Sequence, residues 1–373
     1  KSRLTVNHMQ FIDLQSQYRR ISDSIKNRIE KVLEHGQYIL GPEVRELEAT
    51  LANYVGSRYC VSTGSGTVSL EMALRALNIG PGDEVITTPY SFFATAEVIS
   101  IVGAKPVFVD IRSNTFCIDE ERIEAAITPR TKAIMPVSLY GQMPDMEKIN
   151  EVAARHELPV IEDAAQSFGS RQKGFYSCGL STIACTSFYP AKPLGAYGEG
   201  GALFTNDEEL YQKFLMLRNH GSLKRDEHLL LGMNARLDSL QAAILLSKME
   251  VFDDEILQRN RIADFYTRHL GTLCIPPQTE PENRHVYAQY TIRTPKRDEL
   301  QSLLNEEGIP TVTHYSRCLH EQPALTMLGH KAEDFPVALA CSRQVLCLPM
   351  SPYLSEADQE KVVHSIQRLA KKL

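Results

Sequence analysis

No apolar run in this 373-residue chain approaches the roughly 18 residues that a bilayer-crossing helix needs. There is no basic excess either: 40 Lys and Arg stand against 46 Asp and Glu, a net charge of -6. That balance points away from nucleic acid and from anionic membrane surfaces as partners. The eight cysteines (60, 117, 178, 185, 274, 318, 341 and 347) form no CxxC pair and no dense framework. They read as reduced thiols of a cytoplasmic protein. The histidines show neither HExxH nor a Cys/His zinc spacing, so no metal site is expected. Internal repeats and low-complexity tracts are absent as well. Residues 1–8, KSRLTVNH, have no apolar signal core, and Met9 opens a sensible start, MQFIDLQ. The first eight residues are therefore read as a remnant and left out of fold reasoning.

What is present is ordinary for a globular chain: 43% hydrophobic and 23% charged residues, enough length for about two domains. Short apolar runs recur at 59–62, 84–88, 106–110, 133–138, 159–162, 182–186 and 202–205. Several are nearly continuous in apolar residues, as in strands buried on both faces. Helical stripes lie between them at 69–77, 94–102 and 146–156. Strand alternating with helix is the pattern of an α/β layered sheet. After about residue 250 the rhythm changes. A long helical segment over 238–266 leads through a Pro-rich connection to an alternating strand at 285–294. A helix at 297–307, strands near 310–314 and 345–349, and a terminal helix over 355–372 complete a smaller α+β unit. The expected division is a large domain over 9–250 and a small one over 251–373. The amphipathic stretch 14–34 is expected to pack on the small domain rather than on the main sheet.

Four stretches carry chemistry. In VSTGSGTVSLEMAL (61–74) a strand enters Gly64-Ser65-Gly66-Thr67 and passes directly into a helix. Free N–H groups at a helix start and the Thr67 hydroxyl form a phosphate cradle, or else an ordinary strand–helix turn. It is neither a Walker loop nor a dinucleotide fingerprint, because no Gly-Lys-Ser/Thr follows and Ser69 replaces the third glycine. In VIEDAAQSFGS (160–170) a strand ends in Glu162 and Asp163, with Gln166 beyond. Ligands of open α/β sheets gather at such strand ends, although a capping Asp looks the same in sequence. In TTPYSFFATAE (87–97) the aromatics Tyr90, Phe92 and Phe93 crowd a turn, as core or as a ligand platform. In SFYPAKPLGAYGEGG (187–201) one lysine, Lys192, stands between two prolines and before four glycines. Taken singly, each has a bland explanation. Together they supply a phosphate cradle, a flat aromatic, a strand-end carboxylate and a lone amine, the parts that hold and use pyridoxal 5′-phosphate.

With GQYILGPEVRELE (36–48), LYGQ (139–142), GMNARLDSLQAAIL (232–245) and HEQPA (320–324) added, the chain resembles the DegT/DnrJ/EryC1/StrS sugar-nucleotide aminotransferases from about Phe11 to its C-terminus. That resemblance implies the aspartate-aminotransferase (type I) fold, with a mixed, mostly parallel sheet flanked by helices. It implies that Lys192 links to the cofactor aldehyde and that Asp163 pairs with the pyridine nitrogen. Gln166 would lie near the ring hydroxyl, Phe92 would stack on the ring, and Gly66, Thr67 and Ser187 would hold the phosphate. Asn234 would reach the phosphate of a neighbouring subunit, making a homodimer with shared sites. The exposed, polar stretch 221–232 suits such a crossing. L-glutamate would be the donor and 2-oxoglutarate its product.

Within the family, ITPRTKAI, PVSLYGQ and EDAAQSFG are similar to members that aminate C3 of a UDP-linked 3-keto-2-acetamido hexuronic acid for bacterial lipopolysaccharide O-antigen. The substrate contacts implied are Arg236, His314 and Tyr315. Arg236 has the alternative of an interface salt bridge, and His314 that of packing. The chain departs from the subgroup at Ser316-Arg317, where a proline is usual. Other readings are amination of a 4-keto sugar and a sugar dehydratase, which would have histidine at Lys192. A non-catalytic regulator or nucleotide-binding module is a further one. A nicotinamide dehydrogenase is disfavoured by the broken glycine fingerprint.

Overall fold

A computed structural model of the chain describes residues 9–370, so the expected remnant 1–8 and the end of the helix expected over 355–372 lie outside the described residues. Seven of the apolar runs form strands: β1 (Tyr59–Thr63), β2 (Glu84–Thr87), β3 (Lys105–Phe108), β4 (Thr131–Met135), β5 (Ile161–Asp163), β6 (Ile183–Ser187) and β7 (Gly201–Thr205). They lie in the order β3-β2-β4-β5-β6-β7-β1, with β4 and β5 joined by parallel bridges at Ile134–Val160 and Val137–Asp163. Only β7 runs antiparallel to its neighbours, pairing residue for residue with β1 and β6. This is the expected mixed, mostly parallel sheet. Its parallel strands end on one edge, where open α/β sheets collect their ligands.

Helices α1 (Leu14–His35) to α6 (Glu208–Arg218) include α2 (Pro42–Val55), α3 (Gly66–Ala76), α4 (Ala94–Ile101) and α5 (Met146–Arg155). One buried face of the sheet packs Val61, Val85, Met135, Ile161 and Leu203 against Leu70, Leu74 and Phe214. The other face packs Ala184, Phe188 and Phe204 against Leu47, Leu51 and Leu245. Burial of both faces explains why these runs are continuously apolar.

The segment expected as one helix over 238–266 is two: α7 (Ser239–Met249) and α8 (Phe252–Leu270). Asp253, Asp254 and Glu255 fill the first turn of α8. Carboxylates there favour a helix N-terminus, so the chain restarts rather than continues. The apolar stripe of α1, Ile21 and Ile25, packs on Ile244 of α7. Its first turn is tied to α8, with Gln17 Nε2 2.9 Å from both oxygens of Glu255. The N-terminal helix therefore bridges α7 and α8 instead of resting on the C-terminal unit alone.

In the last third, β8 (Tyr290–Arg293) pairs antiparallel with β9 (Val345–Leu348). Their core is closed by Tyr266, Leu270, Leu300, Leu304, Val362 and Ile366, from α8, α9 (Arg297–Glu306) and α11 (Glu356–Ala370). The strand expected over 285–294 is shorter because 285–289 turns inward: Val286 N–H donates to Gly141 and Tyr287 N–H to His285 Nδ1. Near 310–314 only the bridge Val312–Cys347 forms. Residues 318–345, including α10 (Pro336–Gln344), pack Leu319, Phe335 and Ala338 against Tyr90, Phe108 and Tyr140 of the large unit. No helix among the described residues is long and apolar enough to cross a membrane.

Candidate active site

Five segments leaving the sheet edge converge. After β1, Ser65 caps α3 by accepting from the Val68 N–H at 3.2 Å, and its carbonyl accepts the Ser69 N–H. The N–H groups of Gly66 and Thr67, one and two places into the helix, have no partner among the described residues. Gly66 is seated on the end of β6: a Cβ on it would lie 2.7 Å from the Cβ of Ser187. Glycine is what lets these two segments touch, and the result is two free donors beside the Ser187 and Thr67 hydroxyls. Such a set of donors suits an anion at a helix N-terminus, where the helix dipole adds to the attraction.

The adjacent carboxylates of β5 part company. Strand alternation sends Glu162 to the side where Ser138, Ser177 and the Cys178 N–H hold it at 2.7, 2.6 and 2.9 Å. Asp163 faces the sheet edge. Thr95 Oγ1 donates to its Oδ2 at 2.8 Å and the Ala165 N–H to its Oδ1 at 3.2 Å. Burial pushes the Asp163 carboxyl above its ordinary value, opposed by Thr95, Ala165 and the charge of Lys192. Burial likewise holds the Lys192 amine below its ordinary value, with Asp163 pulling the other way. Lys192 is thus an amine with raised access to its neutral form, close to a carboxylate that prefers a cationic partner.

Gln166 Oε1 accepts the Tyr140 N–H at 2.8 Å, and its Nε2 donates to Tyr315 Oη at 3.2 Å. His314 is held below the usual histidine range by burial and by the charge of Lys192. Phe92 stands exposed on the turn before α4, its ring centre 6.3 Å from that of Tyr315. The structure therefore brings Gly66, Thr67, Phe92, Asp163, Gln166, Ser187, Lys192, His314 and Tyr315 to one edge.

Asn234 and Arg236 lie on the neighbouring strip 233–236, where the Gly64 N–H donates to the Ala235 carbonyl at 3.0 Å. Asn234 is exposed. Arg236 donates to Asn219 Oδ1 at 2.7 Å, and its Nε has no partner among the described residues. No carboxylate pairs with Arg236 among the described residues. Ser316 and Arg317, where the chain departs from its subgroup, are both exposed. Sequence reasoning missed Thr95 and Tyr140, and it left Tyr90 undecided between core and platform. Their motifs, FFATAE and LYGQ, were visible, but nothing in either says where a hydroxyl points.

The donors and charges fit pyridoxal phosphate: two free amides and two hydroxyls for its phosphate, a buried carboxylate for its ring nitrogen, and one amine for its aldehyde. The comparisons agree. The chain is 52% identical over 350 residues to the UDP-2-acetamido-2-deoxy-3-oxo-D-glucuronate aminotransferase of Pseudomonas aeruginosa, covering 94% of this chain and 97% of that protein. It is 47% identical to a pleiotropic regulatory protein of Geobacillus stearothermophilus, covering 95% and 96%. The solved structure of NtdA from Bacillus subtilis with bound cofactor PMP superposes with a TM-score of 0.88 at 33% identity, over 97% of this chain and 83% of that one. The family's sequence profile matches residues 19–367, and the chain belongs to the DegT/DnrJ/EryC1/StrS aminotransferase family.

Proposed function

We propose that the chain moves the amino group of L-glutamate to C3 of a UDP-linked 3-keto-2-acetamido hexuronic acid, releasing 2-oxoglutarate and using pyridoxal phosphate. The observation that carries this is the seating of Gly66 on Ser187, which sets the free donors of α3 at the sheet edge where the buried Asp163 carboxylate is held by Thr95 and Ala165. Likeness to the Pseudomonas enzyme supports the sugar and the carbon.

When bound, the cofactor supplies an electron sink for the bond broken at the amino-bearing carbon. The chain's own residues do the rest. Gly66, Thr67 and Ser187 anchor the phosphate. Asp163, desolvated and steadied by Thr95, keeps a proton on the ring nitrogen. Lys192, whose burial favours the neutral amine, would take the proton from the substrate carbon and, as the ammonium so formed, give it back as general acid from the same side. The second half-reaction reverses these transfers with the keto sugar as acceptor, and its oxygen leaves as water. His314 and Tyr315 contact the sugar, and Arg236 pairs with the uronate carboxylate or another anionic group of the substrate.

Residues 9–250 hold the cofactor and 251–373 bring the segment 314–315 to it. Asn234, exposed in one chain, completes the phosphate site of a second copy, so that the working unit is a homodimer. Eight free thiols, seven of them buried, support a cytoplasmic location, where an O-antigen sugar would be built.

The test is an amination assay with glutamate across 3-keto and 4-keto UDP-hexoses and their uronates. Amination at C3 of the uronate is expected; activity confined to a 4-keto sugar overturns the sugar and the carbon. The regulatory relative favours a second reading, a chain that holds its cofactor without turnover. Its signature is purified holoprotein that consumes no glutamate.

A further inference from the structure

Tyr90 and Tyr140 are among the largest fully buried side chains, yet each carries a hydroxyl into the boundary between the sheet edge and the segment 314–319. Both hydroxyls end on the backbone of His314 and Tyr315. The Tyr315 N–H donates to Tyr90 Oη at 2.8 Å. The same oxygen lies 3.1 Å from the Tyr315 carbonyl and 3.2 Å from the His314 carbonyl, donating to one at a time. Tyr140 Oη donates to the His314 carbonyl and lies 3.2 Å from Tyr90 Oη. Four residues on, the Leu319 N–H donates to the Pro89 carbonyl at 2.7 Å.

These contacts close a ring. Gln166 accepts from the Tyr140 backbone, the Tyr140 hydroxyl donates to the His314 carbonyl, and the Tyr315 hydroxyl accepts from Gln166 Nε2. Phe116 stands edge-on to Tyr140, with centres 5.2 Å apart, and limits where its phenol can swing. Buried hydroxyls placed on backbone groups leave unpaired donors and acceptors behind if they are removed, which is why such contacts are stiff. Between the ties at Tyr315 and Leu319 only Ser316 and Arg317 are exposed; Cys318 is buried, and its N–H donates to Glu321 Oε2 at 3.0 Å.

We propose that Tyr90 and Tyr140 are positioning residues for the keto-sugar half-reaction. They act through the backbone of His314 and Tyr315 and set how far those side chains stand from Lys192. The sugar half of this statement rests on the function proposed above; the clamp itself does not. Both phenols keep their protons, since burial pushes each well above its ordinary value.

The experiment uses the holoenzyme with Tyr90→Phe, Tyr140→Phe and the double substitution, which keep the rings and remove only the hydroxyls. Hydrogen exchange of the peptide 312–319 is read first. Its exchange is expected to rise about tenfold in Tyr90→Phe while the peptide around Lys192 stays unchanged. The KM for the 3-keto UDP-uronate is then expected to rise about tenfold, with kcat within threefold. The glutamate half-reaction, followed by the cofactor's absorbance, is expected to stay within twofold. Unchanged exchange over 312–319 in Tyr90→Phe overturns the clamp, and so does an equal loss in both half-reactions. If the double variant does not purify folded, Tyr140→Phe carries the test, because it leaves the acceptor of the Tyr315 N–H in place. A wild-type enzyme that aminates no 3-keto uronate removes the substrate assignment, and the exchange result then decides the clamp alone.

Discussion

Gly66 and Ser187, 121 positions apart in sequence, touch so closely that a methyl group on Gly66 would sit 2.7 Å from the Ser187 Cβ and 3.1 Å from its Cα. The contact brings the free amides of α3 to the end of β6. Gly66→Ala is expected to push the two segments apart and to weaken binding of pyridoxal phosphate by about tenfold or more, as overpacking of 1–3 kcal/mol dictates. Titration of the apoprotein with the cofactor, followed by absorbance, checks this. Binding within twofold of wild type shows that the phosphate sits elsewhere.

Lys192→Ala is expected to abolish the absorbance of the lysine-linked cofactor and to stop turnover. Mixed dimers extend this test. A Lys192→Ala chain paired with an Asn234→Ala chain has one site with both defects and one site with neither if Asn234 crosses to its partner. Such mixtures are then expected to recover up to about a quarter of wild-type activity per active-site pair with random pairing. No recovery above the sum of the separate variants removes the shared site.

Asp163→Asn keeps the shape of the side chain and deletes its charge. Losing one preorganised electrostatic partner costs about 10²–10³ in kcat. The cofactor is expected to remain bound, so kinetics and absorbance are read together. Thr95→Val is the gentler version. Thr95 holds the Asp163 carboxyl down against burial, so its loss raises that carboxyl further and moves the acidic limb of the kcat profile to higher pH. A profile that stays in place excludes Thr95 from this role.

Lys248 of α7 is 1% exposed, its Nζ 4.2 Å from the centre of the Tyr197 ring and without a hydrogen-bond partner among the described residues. Burial lowers its amine to about 8 from 10.5, opposed by the charge of Glu255. Between these values the unfolded chain binds the extra proton and the folded chain does not, so stability rises as pH climbs from 8 to 10.5. The gain is on the order of 3 kcal/mol, since one pH unit is worth about 1.4 kcal/mol. Lys248→Met is expected to be more stable than wild type at pH 7 and to lose this part of the pH dependence. Urea titrations at pH 7 and pH 10 measure the difference; parallel curves for the two proteins refute it.

Several elements were legible in the residues because local chemistry alone sets them. The apolar runs of β1 to β7 announced a sheet buried on both faces, and Ser65 before Gly66 announced a capped helix start. Lys192 stood out because prolines and glycines around a single lysine have no use on an ordinary surface. Other features were illegible for physical reasons. Glu162 and Asp163 are equivalent as neighbours in sequence, and only the pairing of β5 with β6 decides which one faces Lys192. The break between α7 and α8 depends on an acidic first turn competing with a helical stripe that runs through it.

The sequence by itself determined the kinds of groups available: one constrained amine, one strand-end acid pair, one glycine-lined helix start. Their types, their order and their spacing along strands and helices are properties of adjacent residues. Tertiary structure alone decided which of them meet. The seating of Gly66 on Ser187, the desolvation that favours a neutral Lys192, and the reach of Tyr90 and Tyr140 to His314 and Tyr315 all join residues far apart in the chain. Contacts of that kind arise when the sheet closes and water is expelled from its edge, and no local pattern encodes them.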